Sequence, residues 1–561
     1  DKHAIALVLE EIGTLLDLHG ENSFKARAFQ SAARAIESVE EDVVALSRRG
    51  ELETVPGIGS ATARVIKELI DTGTSKYYHD LRARTPNGFY ELLAVPKLGP
   101  KKIRLLHEQL GVNSVADLER AAREGQISKL KGFGGRTEAL LLEGIAYVRG
   151  TLGRRRLAEA LDVGPRLLGF VRGVKGVIEA ELAGELRRKL ETVDGISIVA
   201  AAKEKDFDAV LSAFIGFPGL TNAERTSPTV ASARLSDGFT LKLECCTHDE
   251  FGAKLIRETG SEQHVKALGD SVITLRARSE ADAYEKLGLP FIEPELRESG
   301  AEVEAARQGL LPELVSDSDL RGCFHCHTVY SDGRHTVEEM ARAAQQRKWR
   351  YLGIADHSKN ASYAGGLVRE DVERQQAEID AWNAEHGSKV WVFKGIEADI
   401  LSDGRLDYED EEGLLETFDF VIGSIHSAFQ QPEAAQTARL IRAMQNPHLT
   451  FLGHMTGRLL LSRAGYRVDV DAVLDAAAAL GVAVEINADP HRLDLDWRHW
   501  PGAKRRGIKT AINPDAHSAR SLDVVEYGVC MARKGWLEPS DVVNTWTLPN
   551  VRKFLAARKQ R

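Results

Sequence analysis

Apolar and polar positions change period along this chain. Over roughly the first 150 residues the apolar positions fall at helical spacing, as in ENSFKARAFQSAARAIES (21–38) with Lys25 and Arg27. Three stretches there begin alike: VPGIGSATARVIKEL (55–69), VPKLGPKKIRLLHEQLGV (95–112) and LKGFGGRTEALLLEGI (130–145). Each has an apolar residue, a short turn rich in glycine or proline, then an amphipathic helix. A middle region holds short buried-strand runs such as ISIVA (196–200). From about residue 320 strand and helix alternate. The candidate strands are FHCHT (324–328), YLGIADH (351–357), WVFKGIEADI (391–400), FVIGSIHSA (420–428), TFLGHM (450–455), AVEINADP (483–490) and IKTAINPDAH (508–517). Helical stretches such as TVEEMARAAQQRK (336–348) and REDVERQQAEIDAWNAEH (369–386) separate them. Repeated strand–helix units imply a parallel sheet, barrel-like or doubly wound, with chemistry at the C-terminal strand ends.

The 561 residues exceed one hydrophobic core, so several domains are expected. A content of 43% hydrophobic and 28% charged residues describes a soluble globular protein. No apolar run reaches about 18 residues and no signal peptide is read, so a cytoplasmic protein without a membrane partner is expected. The five cysteines are too few and odd in number for a disulfide scaffold. Cys323 and Cys326 form a C-x-x-C without a second such pair, a poor zinc or redox signal.

A net charge of −9 argues against bulk capture of nucleic acid, but its distribution changes that picture. Residues 1–60 hold 6 basic and 11 acidic side chains, and residues 61–150 hold 15 and 10. The three repeated turns sit around 35–40 residues apart and have the form of helix–hairpin–helix motifs. Such a turn aims backbone N–H groups, at the positive end of a helix, towards a phosphate oxygen without reading a base. Gly57, Gly59, Gly99, Gly132 and Gly134, with Lys101 and Lys102, are the expected DNA-backbone contacts.

The strand ends of the last third carry His325, His327, His357, Glu397, His426, His454, Asp515 and His517, with Asp332 in the loop YSDG. His325 and His327 alternate across one residue, so both face one way while Cys326 faces the other. Six histidines and three carboxylates in matching positions would crowd polar groups together at large cost unless metal ions bound them. Imidazole mixed with carboxylate suits manganese or zinc, with iron a further option, better than magnesium or calcium. Two to three such divalent ions suit phosphoester hydrolysis.

HCHTVYSDG, ADHS, GIEADI, GSIHS, GHMTGR and PDAH resemble the motifs of the polymerase-and-histidinol-phosphatase (PHP) domain. The resemblance implies a distorted (βα)7 barrel over 319–561. It implies His325, His327, Glu397 and Asp515 on one metal, Glu397, His426 and His454 on a second, and Asp332, His357 and His517 on a third. Glu397, Asp515 and His357 are the residues expected to carry catalysis. Cys323-Phe324 departs from the Asp-Leu common in relatives, at positions that are not ligands. EINADPHRLDLDW (485–497) resembles the PHP domains of bacterial family X DNA polymerases, making His491 and Arg492 candidate substrate-phosphate contacts.

The whole chain resembles that polymerase family. The expected organisation is an all-α helix–hairpin–helix region over 1–150, an α+β nucleotidyltransferase-like palm and thumb over 151–318, then the PHP barrel. RETGSEQH (257–264) resembles the TGS segment of the thumb region. The family palm carries A-G-S-x-R-R, then G-D-I-D, then a third aspartate on a neighbouring strand, for two magnesium ions. Here AGELRR (183–188) and DGIS (194–197) put Gly195 and Ser197 at the first two aspartates, and SDGFTLKLECC (236–246) puts Lys242 at the third. Glu185 replaces the serine of the phosphate-binding turn, Asp194 is one residue out of register, and Glu244 alone does not make a two-metal site. Val65 stands where a lyase would need a lysine, and Lys67 lies about 200° around the helix from it.

The expected function is therefore a DNA repair-type nuclease or phosphoesterase with a trinuclear PHP site, a 3′–5′ exonuclease or a processor of abasic sites and 3′ ends. The expected partner is gapped, single-stranded or damaged DNA, and a monomer is favoured. A template-directed polymerase with proofreading, a non-catalytic DNA-binding scaffold and a small-molecule phosphatase are the alternatives.

Overall fold

The computed structural model describes residues 2–39, 43–72, 74–93, 95, 98–151, 153–217, 220–235 and 238–560. Pro96 and Lys97 of the second hairpin, and the Ser236-Asp237 pair of the palm segment, lie outside the described residues. The chain divides into two compact units, Asp1–Leu152 and Gly153–Arg561. Among the described residues no helix is long and apolar enough to cross a membrane.

The first unit is helical, and its three hairpins are built alike. The amides of Ile58, Leu98 and Phe133 donate to the carbonyls of Val55, Val95 and Leu130 at 3.0, 3.1 and 3.0 Å. Those three donors bury their side chains in the helical core. Each turn then feeds a helix: Ser60–Thr72, Pro100–Leu110 and Gly135–Thr151. Gly57 and Gly132 adopt φ of +96° and +93°, which only glycine takes without strain.

The second unit opens with a five-stranded sheet. Its spatial order is Val177–Ala183, Gly195–Ala202, Thr240–Cys246, Val230–Arg234, Thr221–Ser227. Only Gly195–Ala202 and Thr240–Cys246 run parallel. Helices Leu157–Arg172 and Phe207–Ile215 cover one face, and helix Phe251–Thr259 packs on the other through Phe251 and Leu255.

Seven parallel strands follow in sequential order: Gly322–Cys323, Tyr351–Ile354, Trp391–Asp399, Phe420–Ser424, Leu449–Leu452, Ala483–Asn487 and Thr510–Asn513. The first regular strand ends earlier than FHCHT suggests. Beyond it His325–His327 continues as extended chain because it must meet the last strand. The amide of His327 donates to Ala516 O at 2.8 Å, and that of Ala516 donates to His325 O at 3.1 Å. These bonds bring first and last strands together at the C-terminal mouth. Side-chain amides stitch the rest of the seam. Asn544 Nδ2 donates to Gly322 O and Ile512 O at 3.0 and 2.7 Å, and its Oδ1 accepts from Ile512 N at 2.7 Å. Asn513 Oδ1 accepts from Phe324 N at 3.0 Å.

An aromatic plug fills the barrel below the mouth. Phe324 packs against Phe420 and Phe451 with ring centroids 5.5 and 5.3 Å apart. Phe420 fits because its neighbours on the strands are glycines: a Cβ on Gly395 or Gly353 would lie 2.1 or 2.7 Å from its ring. Cys326 turns away from the mouth, its Sγ 3.5 Å from that of Cys323, and all five cysteines are free thiols.

Asn544→Ala would leave the two carbonyls and the Ile512 amide without this partner at a fully buried site. A loss of about 2–4 kcal/mol is expected, read as a lowered unfolding midpoint in urea with an unchanged slope.

Candidate metal centre

The barrel mouth gathers all nine residues singled out at the strand ends. Ligand-type atoms of His327, Asp332, His357 and His517 lie within 4.8 Å of one another, as do those of His325, His327 and Asp515, and those of His357, Glu397 and His426. Glu397 is the hub. Its Oε1 lies 3.0 Å from His454 Nε2, 3.3 Å from His426 Nε2 and 3.4 Å from His325 Nε2, and its Oε2 lies 3.0 Å from His357 Nδ1. Asp515 Oδ1 reaches His327 Nε2 at 3.2 Å, and Asp332 Oδ1 reaches His517 Nε2 at 3.3 Å. His454 and Asp515 both adopt positive φ, +22° and +52°. Asp and His are among the non-glycine residues that enter this region most readily.

The orientation of the imidazoles bears on what they can bind. His325 Nδ1 is 2.7 Å from Glu485 Oε1, His426 Nδ1 is 2.7 Å from Asp399 Oδ1, and His517 Nδ1 is 2.9 Å from Asp515 O. Each ring thus donates one N–H outward and turns its other nitrogen into the cluster, as metal-binding histidines do. His325 Nε2, His327 Nδ1 and His357 Nδ1 are buried without a well-aligned hydrogen bond, and each faces a carboxylate: Glu397, Asp332 and Glu397 in turn. Buried nitrogens of this kind, facing carboxylates, fit a set of divalent cations.

Electrostatics describe the same crowding. Burial opposes charge on His357, yet Glu397 and Asp332 raise its pKa to about 10. Burial likewise opposes charge on His426 and His517, while Glu397 and Asp399 raise the first to about 9 and Asp332 and Asp515 raise the second to about 9. Burial and the neighbouring His357 push His327 down to about 3. Burial raises the carboxyl pKa values of Glu397 and Asp515, but His325 and its neighbours hold both well below the usual range. Without metal, protons occupy the cluster.

Three supporting carboxylates were not singled out from the sequence. Glu485 accepts from His325, from His454 N at 2.7 Å and from Asn513 Nδ2 at 2.9 Å. Asp399 spans His426 and Asn360 Nδ2, the latter at 2.6 Å. Asp356 accepts from Thr328 N, Thr328 Oγ1 and Gln375 Nε2 at 2.7, 2.6 and 2.6 Å, ordering the loop that follows His327. Asp399 sits two residues beyond Glu397 on one strand, so period two was its available signal. Arg492 approaches the cluster, its Nε 3.9 Å from Asp515 Oδ2. His491 instead pairs its Nδ1 with Asp489 Oδ1 at 2.8 Å, and its side chain is largely exposed.

In the palm sheet, Ser197 stands directly opposite Lys242, and Gly195 opposite Thr240. Lys242 Nζ is 2.9 Å from Glu258 Oε2 and 3.0 Å from Glu244 Oε2. Lys254 also pairs with Glu244 and lies 3.6 Å from Glu258 Oε1. Sequence reasoning found Glu244 but missed Glu258 and Lys254, which lie on the adjoining helix. Glu185 is held by Arg154 at 2.6 Å and accepts from Asp194 N at 3.1 Å. Arg187 and Arg188 bind Glu280 and Glu298 at 2.6 and 3.0 Å.

In the helical unit, Gly59, Gly99 and Gly134 are exposed, and a Cβ on any of them would meet nothing within 4 Å. Lys101 is exposed at the second position of its helix, and Lys102 Nζ lies 5.6 Å from the Phe133 ring centroid of the next hairpin. Val65 is buried, and Lys67 pairs with Asp71 at 2.7 Å.

Comparison with known proteins follows this division. Residues 1–75 match a helix-hairpin-helix domain, 89–146 a SAM-like helix-hairpin-helix tandem, and 324–489 the PHP domain. The DNA polymerase/3′-5′ exonuclease PolX of Bacillus subtilis is 35% identical over 575 aligned residues, covering 99% of each chain. Probable phosphatases of Caldanaerobacter subterraneus and Syntrophotalea carbinolica are 26% and 27% identical, covering 42% and 43% of this chain and 91% and 97% of their own. With full-length similarity, paired helix–hairpin–helix regions and a seven-stranded PHP barrel, this chain belongs to the bacterial PolX family of family X DNA polymerases.

Proposed function

We propose that this protein is a metal-dependent DNA nuclease whose chemistry resides in the barrel and whose palm has no nucleotidyl-transfer activity. The observation that carries this reading is the convergence of six imidazoles and three carboxylates, with several buried imidazole nitrogens facing the carboxylates. The names of the relatives supply the reaction class, a 3′–5′ exonuclease in one case and phosphatases in others.

His325, His327, Glu397 and Asp515 would hold one ion, Glu397, His426 and His454 a second, and Asp332, His357 and His517 a third. Such ions, manganese or zinc, supply an activated water and neutralise charge on the phosphoryl oxygens. The chain's own residues prepare the site. Glu485 and Asp399 fix the rings of His325 and His426. Arg492 brings a guanidinium to the edge of the cluster, where it suits a substrate phosphate. The three hairpins offer backbone amides, and Lys101 and Lys102 offer charge, for gripping DNA phosphates. Release of nucleotides from 3′ ends, or trimming of abasic and blocked ends, fits this arrangement as a repair activity.

The second reading is a polymerase with proofreading, favoured by the name of the Bacillus relative. Lys242 opposes it. Its ammonium, tied to Glu244 and Glu258, occupies the register where a carboxylate would bind magnesium.

Three results are expected. His327→Ala lowers manganese-dependent release of mononucleotides from 3′-labelled DNA on the order of 100-fold or more; unchanged release would refute the site. Primer extension with dNTPs and magnesium or manganese gives no product, and robust extension would restore the polymerase reading. Metal loading releases protons, because His357, His426 and His517 have pKa values raised to about 10, 9 and 9 before metal binds. Calorimetry at pH 7.5 in buffers of different ionisation enthalpy measures that release. The same raised values stabilise the metal-free fold fully below about pH 6.5, and this contribution is lost as pH climbs through about 9 to 10.

A further inference from the structure

One aromatic ring at the barrel mouth is left uncovered. Tyr363 is 73% exposed, among the most exposed large side chains of the described residues. Its ring lies 6.4 Å, centroid to centroid, from that of His357, at 53°. Its hydroxyl makes no hydrogen bond among the described residues. Arg492 stands elsewhere at the same mouth, its Nε 3.9 Å from Asp515 Oδ2.

The backbone beneath this ring is held firmly. The turn leaves from His357 and returns to it, Leu367 N donating to His357 O at 2.9 Å. Asn360 anchors the turn with its amide N–H on Asp407 Oδ2 at 2.7 Å and its side chain on Asp399 Oδ2 at 2.6 Å. Ala361 and Ala364 are buried on either side of Tyr363. Gly366 packs so closely that a Cβ there would lie 2.0 Å from Ser358 O. A rigid turn that presents a bare aromatic face beside the reacting centre has little freedom left to lose on binding.

The occupant follows from this chemistry. A flat, uncharged ring beside an intensely polar cluster suits a ligand with a π-face joined to a phosphate. A nucleotide has both, and every base can stack. We propose that Tyr363 is the stacking platform for the base of the 3′-terminal nucleotide, flanking the cluster from the His357 side while Arg492 flanks it from the Asp515 side. Tyr363 would then set a preference for base-bearing over abasic 3′ ends. This inference rests on the nuclease reading above.

The test compares two single-stranded oligonucleotides with manganese and the full-length protein. One ends in an ordinary 3′ nucleotide, the other in a tetrahydrofuran abasic residue. In wild type the base-bearing end is removed faster. Tyr363→Ala lowers the ratio of the two rates about tenfold, and Tyr363→Phe keeps it. An unchanged ratio in Tyr363→Ala, or equal loss in Tyr363→Phe, overturns the platform while leaving the nuclease standing. A wild-type protein that releases nothing from either end overturns the nuclease reading, and the platform with it. Binding gives a second readout. A 3′-terminal 2-aminopurine in metal-free buffer is quenched by wild type and Tyr363→Phe and less so by Tyr363→Ala; equal quenching in all three contradicts stacking.

Discussion

The buried carboxylate of Glu397 is the constraint on which the barrel mouth depends. Four imidazoles from four separate strand ends approach its two oxygens within 3.0–3.4 Å. A lone carboxylate there would carry an unpaired charge in a low-dielectric interior, and lone imidazoles would leave orphaned nitrogens. Each therefore needs the others, and the set as a whole needs positive charge, from protons or from metal ions.

A second layer makes that sharing possible. Glu485 joins His325, His454 and Asn513, so one side chain couples first, fifth and last strands of the barrel. Asn513 and Asn544 then close a seam whose regular strands are too short to pair fully. The aromatic plug around Phe420 supplies hydrophobic burial below, and Gly395 and Gly353 give it room. In the five-stranded sheet, lysines stand beside the carboxylates. Lys242 pairs with Glu244 and Glu258, and Lys254 with Glu244.

Much of this was legible in the sequence. The candidate ligands fall at or near strand ends, and His325 and His327 announce a common face by spacing alone. The hairpins declare themselves because one turn is written three times. The supporting shell was not legible. A carboxylate such as Glu485 reads the same whether it meets a metal or an imidazole N–H, and only the fold distinguishes them. Asn544 lies far along the chain from Gly322, which it holds, so no local pattern marks it. Glu258 joins Lys242 across a helix–sheet contact that residue spacing does not reveal. His491 and Arg492 are neighbours in the chain, yet His491 pairs with Asp489 while Arg492 comes within 3.9 Å of Asp515.

The central claim is that the nine residues form one multinuclear metal site. Anomalous diffraction from crystals of the manganese- or zinc-loaded protein measures this directly. Two or three peaks at the barrel mouth are expected, each about 2.0–2.3 Å from the named histidine nitrogens and carboxylate oxygens. A mouth without peaks, or ions held only by side chains elsewhere, would contradict the account.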